Sequence, residues 1–377
     1  KFNMKKFLYI LILLAIAGCG QSDKFETTMN RADSIMEARQ TDAKLSLVML
    51  DSLRPQLTEM SEAQRMKFHL LQAKAMNKGY VKFTSDRMMK EVLEYYNRHG
   101  SDHEKMTAYY LLGCVYRDMG DSPSAMKFLS EATNYAQNDK KSYRLLAHIH
   151  NQIADLLNKQ ALVESELQEL DKAHSYAMLA GDTIDAIDIL SLKAPAYSLV
   201  NKADSAEMVT DLCISMYREK GLPQYAAQIS AYGLEHLVEK KDFTKAKERI
   251  QSYEKESGYF DKGEIESGRE VYYYFKGLYC LGINNTDSAK ILFRKCLEYQ
   301  DDPNLKVAAY HGLSLAYDRT GPSDSTAKYA VMAYNTNDSV YQIDAAESLL
   351  RQQTLYNYSK HQEEALNNAA QTASLQR

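Results

Sequence analysis

The sequence has no tryptophan and little proline or glycine. Among its 377 residues, 6 are proline and 16 are glycine, below the usual shares of about 5% and 7%. Since 45% of the residues are apolar and 25% are charged, the chain has enough apolar material for a core. Its shortage of helix-breaking residues favours an ordered, helix-rich protein.

Basic runs are also missing, and the formal net charge is −4. A net acidic chain without clustered Lys and Arg lacks the electrostatic footprint of a nucleic-acid-binding protein. The sequence contains no phosphate-binding glycine loop, no HExxH, no GxSxG and no set of kinase motifs. We therefore predict no nucleic-acid partner, no cofactor and no enzymatic activity.

The cysteines and histidines form no pattern typical of a metal site. Four cysteines lie far apart without CxxC spacing and are expected to pack as small apolar residues; a bridge between two of them, Cys280 and Cys296, is the alternative. The segment HGSDHEK brings together His99, Asp102, His103 and Glu104. These side chains are too close in sequence to surround an ion without a special loop, so no metal is predicted.

A short apolar segment stands near the start of the chain. Lys5 and Lys6 precede eleven uncharged residues, a length typical of a signal peptide and too short for a membrane-spanning helix of about 20 residues. The segment ends in Ile16-Ala17-Gly18-Cys19, which resembles a bacterial lipobox. This resemblance implies lipid attachment at Cys19, a leader over 1–18, a tether over 19–24 and a location in the bacterial cell envelope, on the periplasmic or outer-membrane face.

The segment MTAYYLLGCVYRDMGDSPSAMKFLSEATNYA shows the clearest internal pattern, with apolar residues at the three- and four-residue spacing of amphipathic helices. One face of a first helix carries Tyr109, Leu112, Gly113 and Tyr116. Asp121 or Ser122 is expected to cap a second helix, with Pro123 in its first turn. That second helix is lined by Ala125, Leu129 and Ala132. The segment resembles a tetratricopeptide repeat.

The same pattern recurs along the chain. In the clear copy Ala125 follows Tyr116 by nine residues, and Ala132 follows Ala125 by seven more. This spacing recurs about every 40 residues, whereas the standard repeat is 34 residues long. Two copies break it, with Glu166 and Tyr253 at positions that are otherwise small. The further residues expected to pack within and between repeats are Ala154, Ala173, Tyr197, Ala206, Ala246, Gly277, Ala289, Tyr317 and Ala333.

The predicted fold is therefore all-α, a right-handed solenoid of tetratricopeptide-like helical hairpins. Divergent helical repeats are expected over 25–100, a repeat array over 101–355 and a polar helical tail over 356–377. Within the first region, Ser61 and Gln64 have the spacing of a capping box. Within the array, Pro195 is expected to kink a first helix or to force an early start of the neighbouring helix.

The resemblance implies that the first helix of each repeat lines a concave groove. The face of these helices that does not pack carries Tyr110, Arg117, His148, Asn151, Asp155 and Asn158. Amide and carboxylate side chains suit the backbone of a bound peptide, although any solvated helix face has the same composition.

Together these features predict a lipid-anchored, non-catalytic module that binds a protein or peptide partner. Two alternatives remain open. Similar repeats of the Bacteroides type continue into a transmembrane helix, so the chain could be the sensory part of a regulator. Glycan-binding outer-membrane lipoproteins also carry such repeats, but they usually stack sugars on tryptophan, which this sequence lacks.

Overall fold

The computed structural model describes residues 25–37, 42–299, 302–338 and 340. The predicted leader, the lipidation site Cys19, the tether and the polar tail lie outside these residues. The described helices, in chain order, are α1 (25–37), α2 (Ala43–Asp51), α3 (Glu62–Lys78), α4 (Arg87–His99), α5 (Asp102–Asp118), α6 (Ser122–Thr133), α7 (Lys140–Lys159), α8 (Val163–Ala180), α9 (Thr183–Ser191), α10 (Lys193–Leu199), α11 (Ala203–Glu219), α12 (Pro223–Gln228), α13 (Leu234–Glu239), α14 (Phe243–Glu256), α15 (Val271–Gly282), α16 (Thr286–Cys296), α17 (Pro303–Thr320) and α18 (323–338).

The predicted fold class is confirmed: the protein is all-α and built from tetratricopeptide-like hairpins, in which α5 packs on α6 and α15 packs on α16. The chain divides after Leu156 into two compact units. Unit 1 holds α1 to α6 and most of α7, and unit 2 holds the helices that follow. A 3-10 segment, Arg54–Glu59, joins α2 to α3.

One turn type closes five of the hairpins and explains their nine-residue spacing. In each of them a residue with positive φ follows the first helix, and the next N–H donates to the carbonyl five residues back, as from Asp121 to Tyr116 at 2.9 Å and from Asn285 to Cys280 at 2.8 Å. That next residue is also the N-cap of the second helix. Ala125 lies four residues beyond its N-cap, so the turn and the first helical turn add up to nine residues. The residues with positive φ in these turns are Gly120, Ala161, Asn201, Lys241 and Asn284.

Small residues lie where two helices approach most closely. A Cβ atom on Gly113 would lie 2.7 Å from Cγ of Leu129, and one on Gly277 would lie 2.5 Å from Cε1 of Phe293. Four of the predicted packing residues are half-buried: Tyr109, Tyr197, Tyr317 and Ala333. The others are buried, namely Leu112, Gly113, Tyr116, Ala125, Ala132, Ala154, Ala173, Ala206, Ala246, Gly277 and Ala289.

Two first helices of unit 2 are broken. α9 ends at Ser191 and α10 begins at Lys193, because the ring of Pro195 would clash with the carbonyl oxygen four residues earlier. α12 and α13 are separated by turns that include Gly233, at φ 72°. By contrast, α5 in unit 1 is a continuous helix of 17 residues.

A short β-hairpin precedes α15 and was not predicted from the sequence. β1 (Phe260–Asp261) pairs antiparallel with β2 (Glu264–Ile265). Lys262 and Gly263 connect the strands with φ values of 48° and 85°, the positive pair that a tight two-residue turn requires. Such short strands carry too few residues for an alternating pattern to be visible.

Among the helices that the structure describes, none is both long and apolar enough to cross a membrane.

Candidate functional site

Polar side chains from three first helices of unit 1 converge on one arginine. We call this set the groove cluster: Asn77 of α3, Tyr110, Arg117 and Asp118 of α5, and Gln152 of α7. Three consecutive hairpins each contribute a first helix to it. The cluster is therefore a feature of the helix face that the sequence assigned to binding.

The guanidinium of Arg117 organises this cluster. Its Nε donates to Asp118 at 2.9 Å, Nη2 donates to Oδ1 of Asn77 at 3.2 Å, and Nη1 donates to Oε1 of Gln152. The other carboxylate oxygen of Asp118 accepts the backbone N–H of Phe83 at 3.1 Å. The planar guanidinium thereby fixes two amide side chains from neighbouring hairpins in one orientation.

The structure corrects the expected position of Tyr110. It was expected on the exposed face, but only 9% of the residue is accessible. Its hydroxyl accepts a hydrogen bond from Nδ2 of Asn77 at 3.2 Å, and burial raises the pKa of the phenol well above its usual value. Tyr110 therefore positions Asn77 and presents little surface of its own.

The residues predicted on the polar face of α7 differ in their burial. His148 and Asn151 are half-buried, whereas Asp155 and Asn158 are exposed. Nδ2 of Asn158 donates to the carboxylate of Glu166 on α8 at 3.0 Å. This bond accounts for one break in the repeat pattern, since it partners a glutamate that is only 6% accessible. The structure thus joins Arg117 to Gln152 and gives Asn158 a partner on α8.

An ion-pair group in unit 1 joins α1 with α3 and α7. Lys74 contacts Asp33 at 2.7 Å and also Glu37, and Arg144 lies 3.6 Å from Glu37. Burial alone would raise the pKa of the Glu37 carboxyl, but the hydrogen bond and charge of Lys74 outweigh it and the pKa is lowered. Glu37 is therefore held ionised between two cations.

In the described part of the chain, one group of side chains has metal-ligand geometry: Asp204, Glu207 and His236 in unit 2. Cations of the protein already neutralise it, with Lys240 at 3.0 Å from Asp204 and Lys245 at 2.5 Å from Glu207. A metal ion would have to compete with both ammonium groups. We read this group as an ion-pair network between α11 and the helices α13 and α14.

The side chains of the HGSDHEK segment have partners within the protein. Glu104 and Ser101 form a capping box at the start of α5, and Asp102 accepts from Gln137 at 2.8 Å. Burial lowers the pKa of His103, with a smaller contribution from the charge of Lys141. These contacts assign the segment to helix capping and packing.

The four cysteines of the described residues are free, buried thiols, so the alternative bridge between Cys280 and Cys296 is not formed. Burial raises the pKa of Cys213 and of Cys296 to about 12. Such thiols are protonated near neutral pH and are poor nucleophiles.

Asn77 and Gln152 were missed in the sequence analysis. Gln152 directly follows Asn151, and it could have been found by asking which amide lies one hairpin beyond Arg117. Asn77 lies in the divergent region, where no repeat register was available to align α3 with α5.

Comparison with known proteins agrees with this architecture. The family model of the tetratricopeptide repeat matches residues 107–139 and 270–303, which cover α5 with α6 and α15 with α16. The chain thus contains tetratricopeptide repeats at two of the predicted copies. Among curated protein sequences, none matches this chain.

Two solved structures have a similar fold. The crystal structure of NprR in complex with its cognate peptide NprX has a TM-score of 0.50 and 11% identity, and the match covers 82% of this chain and 90% of that one. The structure of a Rap protein complexed with Competence and Sporulation Factor has a TM-score of 0.50 and 12% identity, with 91% and 99% covered. At these identities the likeness shows the fold alone.

Proposed function

We propose that this protein is a non-catalytic recognition module that binds an extended peptide segment of a partner on the first-helix face of unit 1. The observation that carries the proposal is the groove cluster, in which Arg117 holds Asn77 and Gln152 across three hairpins. No metal or cofactor enters this proposal.

The hydrogen-bonding state of Gln152 suits a peptide backbone. Its Oε1 accepts from Arg117, so the amide nitrogen, with two N–H donors, is directed away from the guanidinium. A peptide carbonyl is a matching acceptor, and neighbouring Asn151 offers both a donor and an acceptor. Because Arg117 fixes Gln152 beforehand, less side-chain entropy is lost on binding.

The structural neighbours support this proposal. The matched NprR structure contains its cognate peptide NprX, and the matched Rap structure contains Competence and Sporulation Factor. Helical folds of this kind therefore accommodate such partners, and this chain presents fixed amides on its first-helix face.

The test measures binding of a peptide selected from a random twelve-residue library on the full chain. We expect Arg117→Lys to weaken binding about tenfold, because lysine cannot hold two amides at once. Gln152→Ala removes the proposed donor and should have a similar effect. The matched control is Arg98→Lys on α4, an exposed residue paired with Glu94.

Equal affinity of the three variants and the original chain would reject the groove cluster as the binding surface. Failure to select any peptide would reject peptide binding itself. Circular dichroism of each variant separates lost binding from lost folding.

We further propose that the module is a lipoprotein of the Bacteroides type, anchored at Cys19 in the cell envelope. The support is the lipobox-like Ile16-Ala17-Gly18-Cys19 at the end of a signal-peptide-sized apolar segment. Cys19→Ala should release the chain from membranes or leave it unprocessed. Membrane retention of a processed Cys19→Ala chain would refute the anchor.

A further inference from the structure

The turn that follows α3 in unit 1 carries an exposed aromatic residue. Tyr80 is 95% accessible, the largest fraction among the large apolar side chains that the structure describes. Within the described part of the chain, its side chain takes part in no hydrogen bond, ring contact or cation contact. Packing inside the fold therefore does not account for this residue.

The backbone at Tyr80 is also unfavourable for a bulky residue. Its φ is 55°, in the left-handed region that residues with a Cβ atom disfavour. The N–H of Val81 donates to the carbonyl of Met76 at 2.9 Å, and glycine is the usual residue in a helix ending of this type. The other non-glycine residues with positive φ in the described chain are alanine, asparagine or lysine. An aromatic ring held outward in a disfavoured conformation indicates a contact outside the fold.

Further apolar side chains are exposed at the same end of the α2–α3 pair. A Cβ atom on Gly79 would lie 3.5 Å from Cβ of Ala43, so the end of α3 meets the start of α2. Leu45 and Val48 are exposed one turn apart on α2, and Val81 is exposed next to Tyr80 in the chain. We call this set the contact patch: Leu45, Val48, Tyr80 and Val81.

Two lysines flank the contact patch. Lys44 and Lys82 are exposed, and neither forms an ion pair with a residue that the structure describes. Asp42 precedes α2, but its carboxylate caps the helix by accepting from the N–H of Leu45 at 2.8 Å. Aliphatic side chains, an amphipathic tyrosine and free ammonium groups together match the surface of an anionic bilayer, where tyrosine rings lie at the depth of the headgroups.

We propose that the contact patch lies on the bilayer surface, with the ring of Tyr80 among the lipid headgroups and with Leu45 and Val48 against the boundary of the acyl chains. This inference rests on the proposed lipid anchor at Cys19. The anchor attaches the chain to the membrane, and the contact patch selects the side of unit 1 that faces it.

The position of α1 makes this contact possible. The carbonyl of Ala32 accepts from Ser46 of α2 at 3.1 Å, and the carbonyl of Met36 accepts from Lys78 of α3 at 2.6 Å. The far end of α1 therefore lies at the end of α3 that precedes the contact patch. The residues between Cys19 and α1 can span at most about 20 Å, which is close to the length of α1. A connection of that length lets α1 lie along the bilayer with the contact patch touching it.

Tryptophan fluorescence tests the proposal. Since the chain contains no tryptophan, Tyr80→Trp supplies a single reporter. The lipidated full chain is reconstituted in vesicles of phosphatidylcholine and phosphatidylglycerol that carry doxyl-labelled lipid. We expect the emission of Tyr80→Trp to be quenched about twofold, because the ring lies at the membrane interface. Tyr334→Trp, at an exposed tyrosine of α18, is the matched control and should not be quenched.

A second pair of variants tests the aliphatic part of the contact patch. In the Tyr80→Trp chain, Val48→Asp should remove most of the quenching, because a carboxylate is costly to bury and is repelled by anionic lipid. Val331→Asp makes the same substitution at an exposed valine of α18 and should leave the quenching unchanged. Circular dichroism verifies that both variants fold.

Flotation of the same vesicles separates this inference from the anchor. If the chain floats but Tyr80→Trp is quenched no more than Tyr334→Trp, the anchor stands and the membrane contact is wrong. Equal loss of quenching in Val48→Asp and Val331→Asp would also overturn it. A chain that does not float refutes the anchor, and the membrane contact falls with it. If Tyr80→Trp responds to the selected peptide but not to vesicles, the ring belongs to the peptide-binding surface instead.

Discussion

The two units use the same hairpin, but unit 2 has two broken first helices beside the continuous α15 and α17. In unit 1, α3 and α5 are each continuous over 17 residues, and their polar side chains meet at Arg117. In unit 2, α9 and α10 break ahead of Pro195, and α12 and α13 break at Gly233. Continuous helices keep side chains of successive hairpins in register, whereas a broken helix leaves backbone groups that need other partners.

Arginine shows this difference most directly. Arg117 in unit 1 contacts side chains only, holding Asn77 and Gln152. Arg249 in unit 2 is only 5% accessible and donates to the carbonyl of Tyr232 at 2.6 Å, within the break between α12 and α13. The first arginine prepares a surface, and the second satisfies an interrupted backbone.

The units also differ in the large side chains that pack against their glycines. The prediction with the largest expected effect tests this difference. Phe293 lies against both Gly277 and Gly312, whereas Leu129 lies against Gly113. Phe293→Ala should lower the free energy of unfolding by about 3–5 kcal/mol, because a fully buried ring leaves a cavity. Leu129→Ala should cost about 3 kcal/mol by the same reasoning.

Chemical denaturation measures both losses, and hydrogen exchange locates them. Phe293→Ala should reduce protection in α15 to α17 before it affects α5 and α6. Phe293→Leu retains most of the apolar volume and serves as the control. A cost for Phe293→Ala below that of Leu129→Ala would contradict the role given to the paired glycines.

The second prediction exchanges the two arginines for methionine. Arg249→Met should lower the free energy of unfolding by about 2 kcal/mol, because the carbonyl of Tyr232 loses the donor that the buried Arg249 supplies. Asp211, which lies 2.6 Å from Arg249, keeps Lys245 as a partner. Arg117→Met should cost about 1 kcal/mol, because Asn77 and Gln152 are only half-buried and the Asp118 carboxylate, 12% accessible, keeps the N–H of Phe83 as a donor.

Peptide binding should respond in the opposite order, with a large loss for Arg117→Met and none for Arg249→Met. Denaturant titration and the selected peptide provide the two measurements on the same proteins. Similar stability losses for both variants would remove the distinction between a surface-preparing and a backbone-satisfying arginine.

Much of the hairpin architecture could be predicted from the sequence because it depends on local residues. The capping box of Ser61 and Gln64 is present, Asp121 caps α6 with Pro123 in its first turn, and the first helix breaks ahead of Pro195. Each of these features involves residues within a few positions of one another, where spacing alone specifies the contact.

The candidate site could be predicted only in part, because it depends on contacts about 35 to 40 residues apart. Arg117 was identified, but its bonds to Asn77 and Gln152 require the lateral register of three hairpins. The number of residues between equivalent positions of successive repeats varies, so the sequence does not fix that register to within one residue. An error of one helix position in the expected register also explains why the buried Tyr110 was assigned to the exposed face.

The smallest predicted effect concerns the caps of the second helices. Asp121 caps α6 by accepting from Ser124 at 3.1 Å, whereas Lys202 at the equivalent position before α11 makes no side-chain cap. Asp121→Ala should cost about 1 kcal/mol, and Lys202→Asp should gain roughly 0.5–1 kcal/mol. The aspartate would also lie favourably at the positive end of the helix dipole.

Thermal unfolding of both variants measures the two shifts, with Lys202→Ala as the control for loss of the lysine. If Lys202→Asp gains no more than Lys202→Ala, a side-chain cap adds no stability to this hairpin, and the two units do not differ through their caps.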